Sequence, residues 1–180
     1  MGDIFEESLF NKQPRQFDKV NALAKAFAAN YCGSTIIRDA IFGIIMNYAR
    51  KRELSLEILR YPFKDEELWA FTFVKKGTLF LCVNSELAMC KQFFAAAHEL
   101  YHIHCYAEDI DPDTITSGSL LDSKTVDDMA VSQEDLEANA FAGLLLMPDS
   151  MLDEQIRLYG INGERISADD VLPLMELFAL

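Results

Sequence analysis

The residue types that could carry chemistry are concentrated in one short H-E-x-x-H pattern, from His98 to His102. If this stretch is helical, the imidazoles of His98 and His102 lie on one face, one turn apart, and could bind a single Zn²⁺ at about 2.0–2.1 Å. Glu99 lies about 100° further round the helix, where its carboxylate could accept a proton from a water that the metal activates. The pattern predicts a metal-dependent hydrolytic site with Glu99 as general base.

The alternative is that these histidines are ordinary half-buried helix residues. All three histidines of the chain fall between positions 98 and 104, which favours the metal site. His104 lies two positions after His102, about 200° round the helix, so we expect it to point away from the metal. We interpret it as a polar surface group or as a residue that supports the metal ligands without binding the metal.

A catalytic zinc site takes three protein ligands and keeps one position open. With no histidine left outside the helix, the third ligand is expected to be a carboxylate or a cysteine. Glu137 precedes Phe141 by four positions and Leu144 by seven, which places it on the apolar face of a predicted helix, where a carboxylate is costly unless paired or metal-bound. Glu137 is therefore preferred over Glu134, whose simpler interpretation is a surface charge near the helix N-terminus.

Two motifs in this order resemble the ImmA/IrrE family of metallopeptidases. The first is A-H-E-x-x-H, beginning at Ala97; the second is E-A-N-x-F-A from Glu137 to Ala142, followed by L-L-M-P from Leu145 to Pro148. The resemblance covers roughly residues 54–148. One departure is Tyr101, which stands where family members often have Gly and adds bulk beside the metal helix.

The resemblance implies a zincin-like fold of the gluzincin type, with His98, His102 and Glu137 as metal ligands and Glu99 as the catalytic base. It implies Zn²⁺ as the metal, with Mn²⁺ also possible. It further implies a protein substrate, a helix-turn-helix repressor whose cleavage releases genes of a mobile element or a stress response. Two other functions remain open: a partner-binding module with a structural or vestigial metal site, and a toxin–antitoxin component.

The elements that must position these residues follow from hydrophobic periodicity. The class is α+β: a small, mostly antiparallel sheet packed on a central metal-binding helix. We expect one metallopeptidase domain over residues 1–180, with N-terminal helices in 1–53, the sheet and metal-binding core in 54–148, and C-terminal helices in 149–180. The predicted elements are helices at 16–31 and 34–52, a strand from Leu54 that ends before Pro62, a hairpin at 68–83, the metal helix from about Ser85, a helix from Gln133 to Leu146, and helices beginning near Asp149 and Asp169.

An acidic segment from Ala107 to Val131 separates the two motif helices. Loops of this length are usually functional, and residues 108–128 could gate the cleft or recognise a basic substrate. Part of it, Thr114–Leu121, could form a further strand at the sheet edge.

The net charge of the chain restricts the classes of molecule that it is expected to bind. Sixteen Lys and Arg against 29 Asp and Glu give a net charge of −13, which argues against direct nucleic-acid binding and is compatible with a basic protein partner. No apolar stretch approaches the about 20 residues of a membrane span, and the acidic N-terminus does not resemble a signal peptide. Four cysteines without C-x-x-C spacing are read as reduced thiols, so we expect a cytoplasmic protein.

Several further residues have a chemical and a simpler interpretation. Asn139 could orient a metal ligand or bond to a nearby loop. Tyr106 and Tyr159 could each stabilise an oxyanion, although both are more often core residues. Cys90 and Cys105 lie near the metal helix and are interpreted as small buried hydrophobic residues.

Overall fold

The structure is a computed structural model that describes four stretches of the chain: residues 14–32, 40–65, 67–109 and 133–161. Over these residues helices flank a small sheet, which confirms the α+β class. The elements in chain order are α1 (Pro14–Tyr31), α2 (Ile41–Lys51), β1 (Leu56–Tyr61), β2 (Ala70–Lys75), β3 (Thr78–Asn84), α3 (Met89–Asp109), α4 (Gln133–Leu146) and α5 (Asp149–Leu158).

The sheet has the strand order β1-β3-β2 and is mixed. Strands β2 and β3 form the predicted antiparallel hairpin, and its turn places Lys76 (φ 52°) and Gly77 (φ 76°) in the left-handed region that tight hairpin turns require. Strand β1 pairs with β3 in parallel, whereas the sequence favoured a mostly antiparallel sheet. The reason is that the connection from β1 leads to the opposite edge of the sheet, so β1 and β2 flank β3.

Asn84, at the end of β3, holds this connection in place. Its side chain is only 2% exposed, and its Oδ1 accepts hydrogen bonds from the backbone N–H groups of Phe63 (3.2 Å) and Glu86 (3.0 Å). Its Nδ2 donates to the carbonyl of Leu68 at 3.3 Å. A buried amide with three backbone partners fixes both segments that meet beside the last residue of the central strand.

The inner face of the sheet packs against α3. Thr72 of β2 is buried and bonds to Glu99 of α3, so this face of the sheet meets the motif helix. Other buried residues of these elements are Val74, Leu79 and Leu81 in the sheet and Ala96, Ala97, Leu100 and Ile103 in α3. The expectation that the metal-motif helix is central is confirmed.

Helix α4 packs across α3 and α1 through one large ring and two small residues. Phe141 meets Phe27 of α1 edge-on at 5.3 Å between ring centroids and Tyr101 of α3 at 5.6 Å. Ala138 and Ala142 are completely buried on the same helix. This packing determines which α4 side chains reach α3.

Several expectations fall outside the described residues. They are the acidic segment beyond residue 109, its proposed strand at Thr114–Leu121, the start of the second helix before residue 40, and the helix predicted near Asp169. Within the described stretches, no helix is both long and apolar enough to cross a bilayer.

Candidate metal centre

The two imidazoles of the H-E-x-x-H motif meet edge to edge on α3. The Nε2 atoms of His98 and His102 are 3.1 Å apart, and the ring centroids are 4.9 Å apart. His102 is 3% exposed, whereas the side chain of His98 is 17% exposed. The helical geometry therefore turns the same nitrogen of both rings towards one point, as the i, i+4 spacing predicts.

Asp135 of α4 brings a carboxylate oxygen to that point. Its Oδ1 lies 3.5 Å from Nε2 of His102 and 3.9 Å from Nε2 of His98. These three side chains form the one group in the described part of the chain that could hold a metal ion, with ligand atoms all within 4.8 Å of one another. We call His98, His102 and Asp135 the ion site.

The donor spacing can be compared with what an ion requires. A tetrahedral ion with bonds of about 2.0–2.1 Å holds its ligand atoms about 3.3 Å apart. The three separations in the ion site, 3.1, 3.5 and 3.9 Å, lie around that value. The donors therefore fit a small divalent cation after shifts of a few tenths of an ångström.

The Nδ1 atom of each imidazole, which faces away from the ion site, lies within hydrogen-bond distance of a side chain of α4. Nδ1 of His98 is 3.0 Å from Oδ1 of Asn139, and Nδ1 of His102 is 2.8 Å from Oε1 of Glu134. Both partners are oxygen acceptors, so they favour tautomers with the proton on Nδ1 and a lone pair on Nε2. Two lone pairs and a carboxylate that converge on one point repel one another unless a positive charge lies between them, which suits a metal cation.

Glu99 is turned towards the sheet. It is 2% exposed, and its Oε2 accepts a hydrogen bond from Oγ1 of Thr72 at 2.7 Å. Thr72 is completely buried on the inner face of β2, so its hydroxyl is fixed by the packing of the sheet on α3. Nothing in the sequence pattern identified Thr72, because its role depends on a contact between residues 27 positions apart.

Glu137, the third ligand preferred from the sequence, is not one of the three side chains grouped in the ion site. The expectation that it is buried agrees with its 8% exposure. Its Oε2 accepts a hydrogen bond from the Tyr101 hydroxyl at 2.5 Å, and its Oε1 accepts one from Nε2 of Gln133 at 3.0 Å. Asp135 lies in the group instead, and its four-residue spacing from Asn139 is the signal that would have indicated a shared face towards α3.

Tyr101 lies in the interface between α3 and α4. It is 7% exposed, and its ring packs against Phe141. Burial raises the pKa of its phenol, and the hydrogen bond to Glu137 raises it further. The phenol therefore keeps its proton at neutral pH and acts as the donor to Glu137.

His104 lies outside the ion site and contacts α2. Its Nδ1 is 3.0 Å from the Tyr48 hydroxyl and 3.9 Å from a carboxylate oxygen of Glu108. Burial lowers the pKa of His104, an effect that Glu108 opposes and Arg52 reinforces. The side chain is only 15% exposed, so it belongs to the packing between α2 and α3 rather than to the surface.

In a comparison with known protein families, the model described as the IrrE N-terminal-like domain, Peptidase_M78, matches residues 51–178. The matched range contains the whole sheet, α3 and α4, and therefore every residue of the ion site. A search among curated proteins found no match.

Proposed function

The chain belongs to the Peptidase_M78 family, and on that premise we propose that it is a zinc-dependent metallo-endopeptidase. His98, His102 and Asp135 would hold the ion. The observation that carries the proposal is the convergence of two imidazole nitrogens and one carboxylate oxygen within 4.8 Å, on the helix that bears the H-E-x-x-H motif.

Zinc is the metal that suits these donors best. Zn²⁺ binds imidazole nitrogen and carboxylate oxygen at nearly equal distances, and three protein ligands leave one position for chemistry. Mn²⁺ is the second candidate, although it favours sites richer in oxygen. The preference for Zn²⁺ rests on two of the three donors being imidazoles.

The chain's own residues supply the proton transfers. A bound divalent cation would polarise the scissile carbonyl and make a nearby water acidic enough to react at neutral pH. Glu99 would take a proton from that water and deliver it to the departing amine. Thr72 fixes one oxygen of Glu99, while Asn139 and Glu134 keep the Nδ1 protons in place so that the Nε2 atoms remain available.

A helix-turn-helix repressor is the proposed substrate, cut so that genes of a mobile element or a stress response are released. Support comes from the resemblance of the two motifs to the ImmA/IrrE family. The net charge of −13 also favours a basic partner, as DNA-binding proteins commonly are.

The first test replaces the proposed base. We expect Glu99→Gln to bind Zn²⁺ as the unaltered protein does but to lose cleavage by at least about 100-fold, since general base catalysis contributes about 10²–10⁴. The measurement is the intact mass of a purified candidate helix-turn-helix repressor after incubation with each zinc-loaded protein.

A metal-poor variant provides the control. Asp135→Asn should lower both zinc content and cleavage, and a chelator should abolish cleavage by the unaltered protein. Cleavage of the repressor by Glu99→Gln at the normal rate would remove Glu99 from the mechanism. A stable complex with an uncut repressor would instead favour the partner-binding module.

A further inference from the structure

A second buried polar group lies between α3 and α4, outside the ion site. Tyr101 and Glu137 share a hydrogen bond of 2.5 Å, and Gln133 donates to the other oxygen of Glu137 at 3.0 Å. Tyr101 is 7% exposed and Glu137 8%. A carboxylate so buried is costly unless its oxygens are bonded, so this contact strongly favours one arrangement of the two helices.

The position of this contact relates it to the metal ligands. On α3, Tyr101 immediately precedes His102; on α4, Glu137 lies midway between Asp135 and Asn139. Those two neighbours contact the imidazoles at 3.0–3.9 Å, whereas Glu137 bonds to the phenol and the amide named above. A rotation or slide of α4 that broke the Tyr101 bond would also carry Asp135 and Asn139 away from the rings.

We propose that Tyr101 and Glu137 are a positioning pair, which fixes the rotation of α4 against α3 and thereby sets the affinity of the ion site for metal. The inference rests on the proposed function only in requiring that the ion site binds a divalent cation. Neither residue is one of the three side chains of the ion site. The Tyr101 hydroxyl donates a hydrogen bond to Glu137, and both residues would act through Asp135 and Asn139. The same contact accounts for a buried glutamate in a motif helix without making it a ligand.

Three substitutions separate positioning from direct ligation. Tyr101→Phe and Glu137→Leu both remove the hydrogen bond, whereas Glu137→Gln removes the charge but keeps an oxygen that can accept from the phenol. For a positioning pair we expect Tyr101→Phe and Glu137→Leu each to weaken Zn²⁺ binding about 10-fold, as loss of residues behind metal ligands typically does. The double variant should be no weaker than either one, and Glu137→Gln should stay close to the unaltered protein.

The readout is the dissociation constant for Zn²⁺, measured by competition with a chromophoric chelator, together with urea unfolding of the metal-free proteins. Tyr48→Phe is the matched control, because it also removes a buried phenol hydroxyl, bonded at 3.0 Å to His104 of the same helix. It should lower the free energy of unfolding without changing zinc affinity. A merely structural Tyr101 would behave in the same way.

The outcomes distinguish the two proposals. If the unaltered protein binds Zn²⁺ and Tyr101→Phe binds it equally tightly, the positioning pair is wrong while the peptidase proposal stands. If Glu137→Gln is as impaired as Glu137→Leu while Tyr101→Phe is not, Glu137 is a ligand and the inference is overturned. If the unaltered protein binds no Zn²⁺, both proposals fail. Should Glu137→Leu not fold, Tyr101→Phe and Glu137→Gln, which keep the side-chain volume, decide the question.

Discussion

Thr72 illustrates how one hydroxyl could influence the proposed chemistry. Its Oγ1 donates to Oε2 of Glu99 at 2.7 Å, and both groups are almost completely buried. A carboxylate that must accept and then release a proton has to keep one orientation during the reaction. The threonine hydroxyl provides this constraint from β2, an element that the H-E-x-x-H pattern does not include.

Replacing this hydroxyl gives a kinetic prediction. We expect Thr72→Val to lower kcat for peptide hydrolysis by about 10- to 100-fold with little change in KM, since a hydrogen bond to a charged group contributes about 1.5–3 kcal/mol and about 1.4 kcal/mol is a factor of ten. Steady-state kinetics on a cleavable repressor fragment would measure both constants.

Thr72→Ser is the matched control, because it keeps the hydroxyl and loses only a methyl group. It should restore most of kcat. A rise in KM at unchanged kcat, or equal impairment of the serine and valine variants, would show that Thr72 serves the packing of β2 and not the orientation of Glu99.

The way helix α4 packs against α1 and α3 determines which of its carboxylates lies close to the two imidazoles. Phe141 lies between Phe27 of α1 and Tyr101 of α3, and so it ties α4 to both helices. Asp135 and Asn139 are borne on the same helix, and their distances to the imidazoles depend on that docking. The apolar contact and the polar donors are therefore coupled through one rigid element.

Weakening the packing of α4 should lower the affinity for metal, although Phe141 is not part of the ion site. We expect Phe141→Ala to lower the free energy of unfolding by about 3–5 kcal/mol, the usual effect of deleting a buried phenylalanine. It should also weaken Zn²⁺ binding, because α4 can then shift relative to α3. Urea unfolding of the metal-free protein and zinc competition measure the two effects separately.

Phe93→Ala is the control for this substitution. Phe93 is also buried and lies on α3, and its ring packs against Phe42 of α2 at 6.2 Å. Its removal should reduce stability without a matching loss of zinc affinity. If both variants weaken zinc binding equally, the effect follows overall stability and not the docking of α4.

The pH dependence of folding is a property of the whole molecule in which His104 takes part. Burial lowers its pKa below the ordinary value of 6.5, so below pH 6.5 the unfolded chain binds a proton more readily than the folded protein does. The free energy of unfolding therefore falls as the pH drops below 6.5 towards the lower folded pKa. One proton corresponds to at most about 1.4 kcal/mol per pH unit.

His104→Gln tests this contribution. The variant should have a flatter dependence between pH 7.5 and 5.5 than the unaltered protein, because the site no longer takes up a proton on unfolding. Urea unfolding of both metal-free proteins at several pH values provides the comparison. Equal slopes would mean that His104 is protonated to the same extent in the folded and unfolded chains.

Most elements that carry the site follow from local patterns. The positions of α3, α4 and the hairpin agree with the sequence prediction because helical and strand periodicity depends on residues a few positions apart. The parallel pairing of β1 with β3 does not follow from local patterns. It depends on the connection between β1 and β2, which leads from one edge of the sheet to the other and leaves β3 between them.

The amino-acid sequence alone determined that two imidazoles and a glutamate share one helix, since i, i+4 geometry is a property of the helix itself. Only the tertiary structure decided which carboxylate of α4 joins them. Glu134, Asp135 and Glu137 are one or two positions apart, and each position turns a side chain by about 100°. Contacts between segments distant in the chain, among them the packing of Phe141, set that rotation and bring Asp135 to the imidazoles.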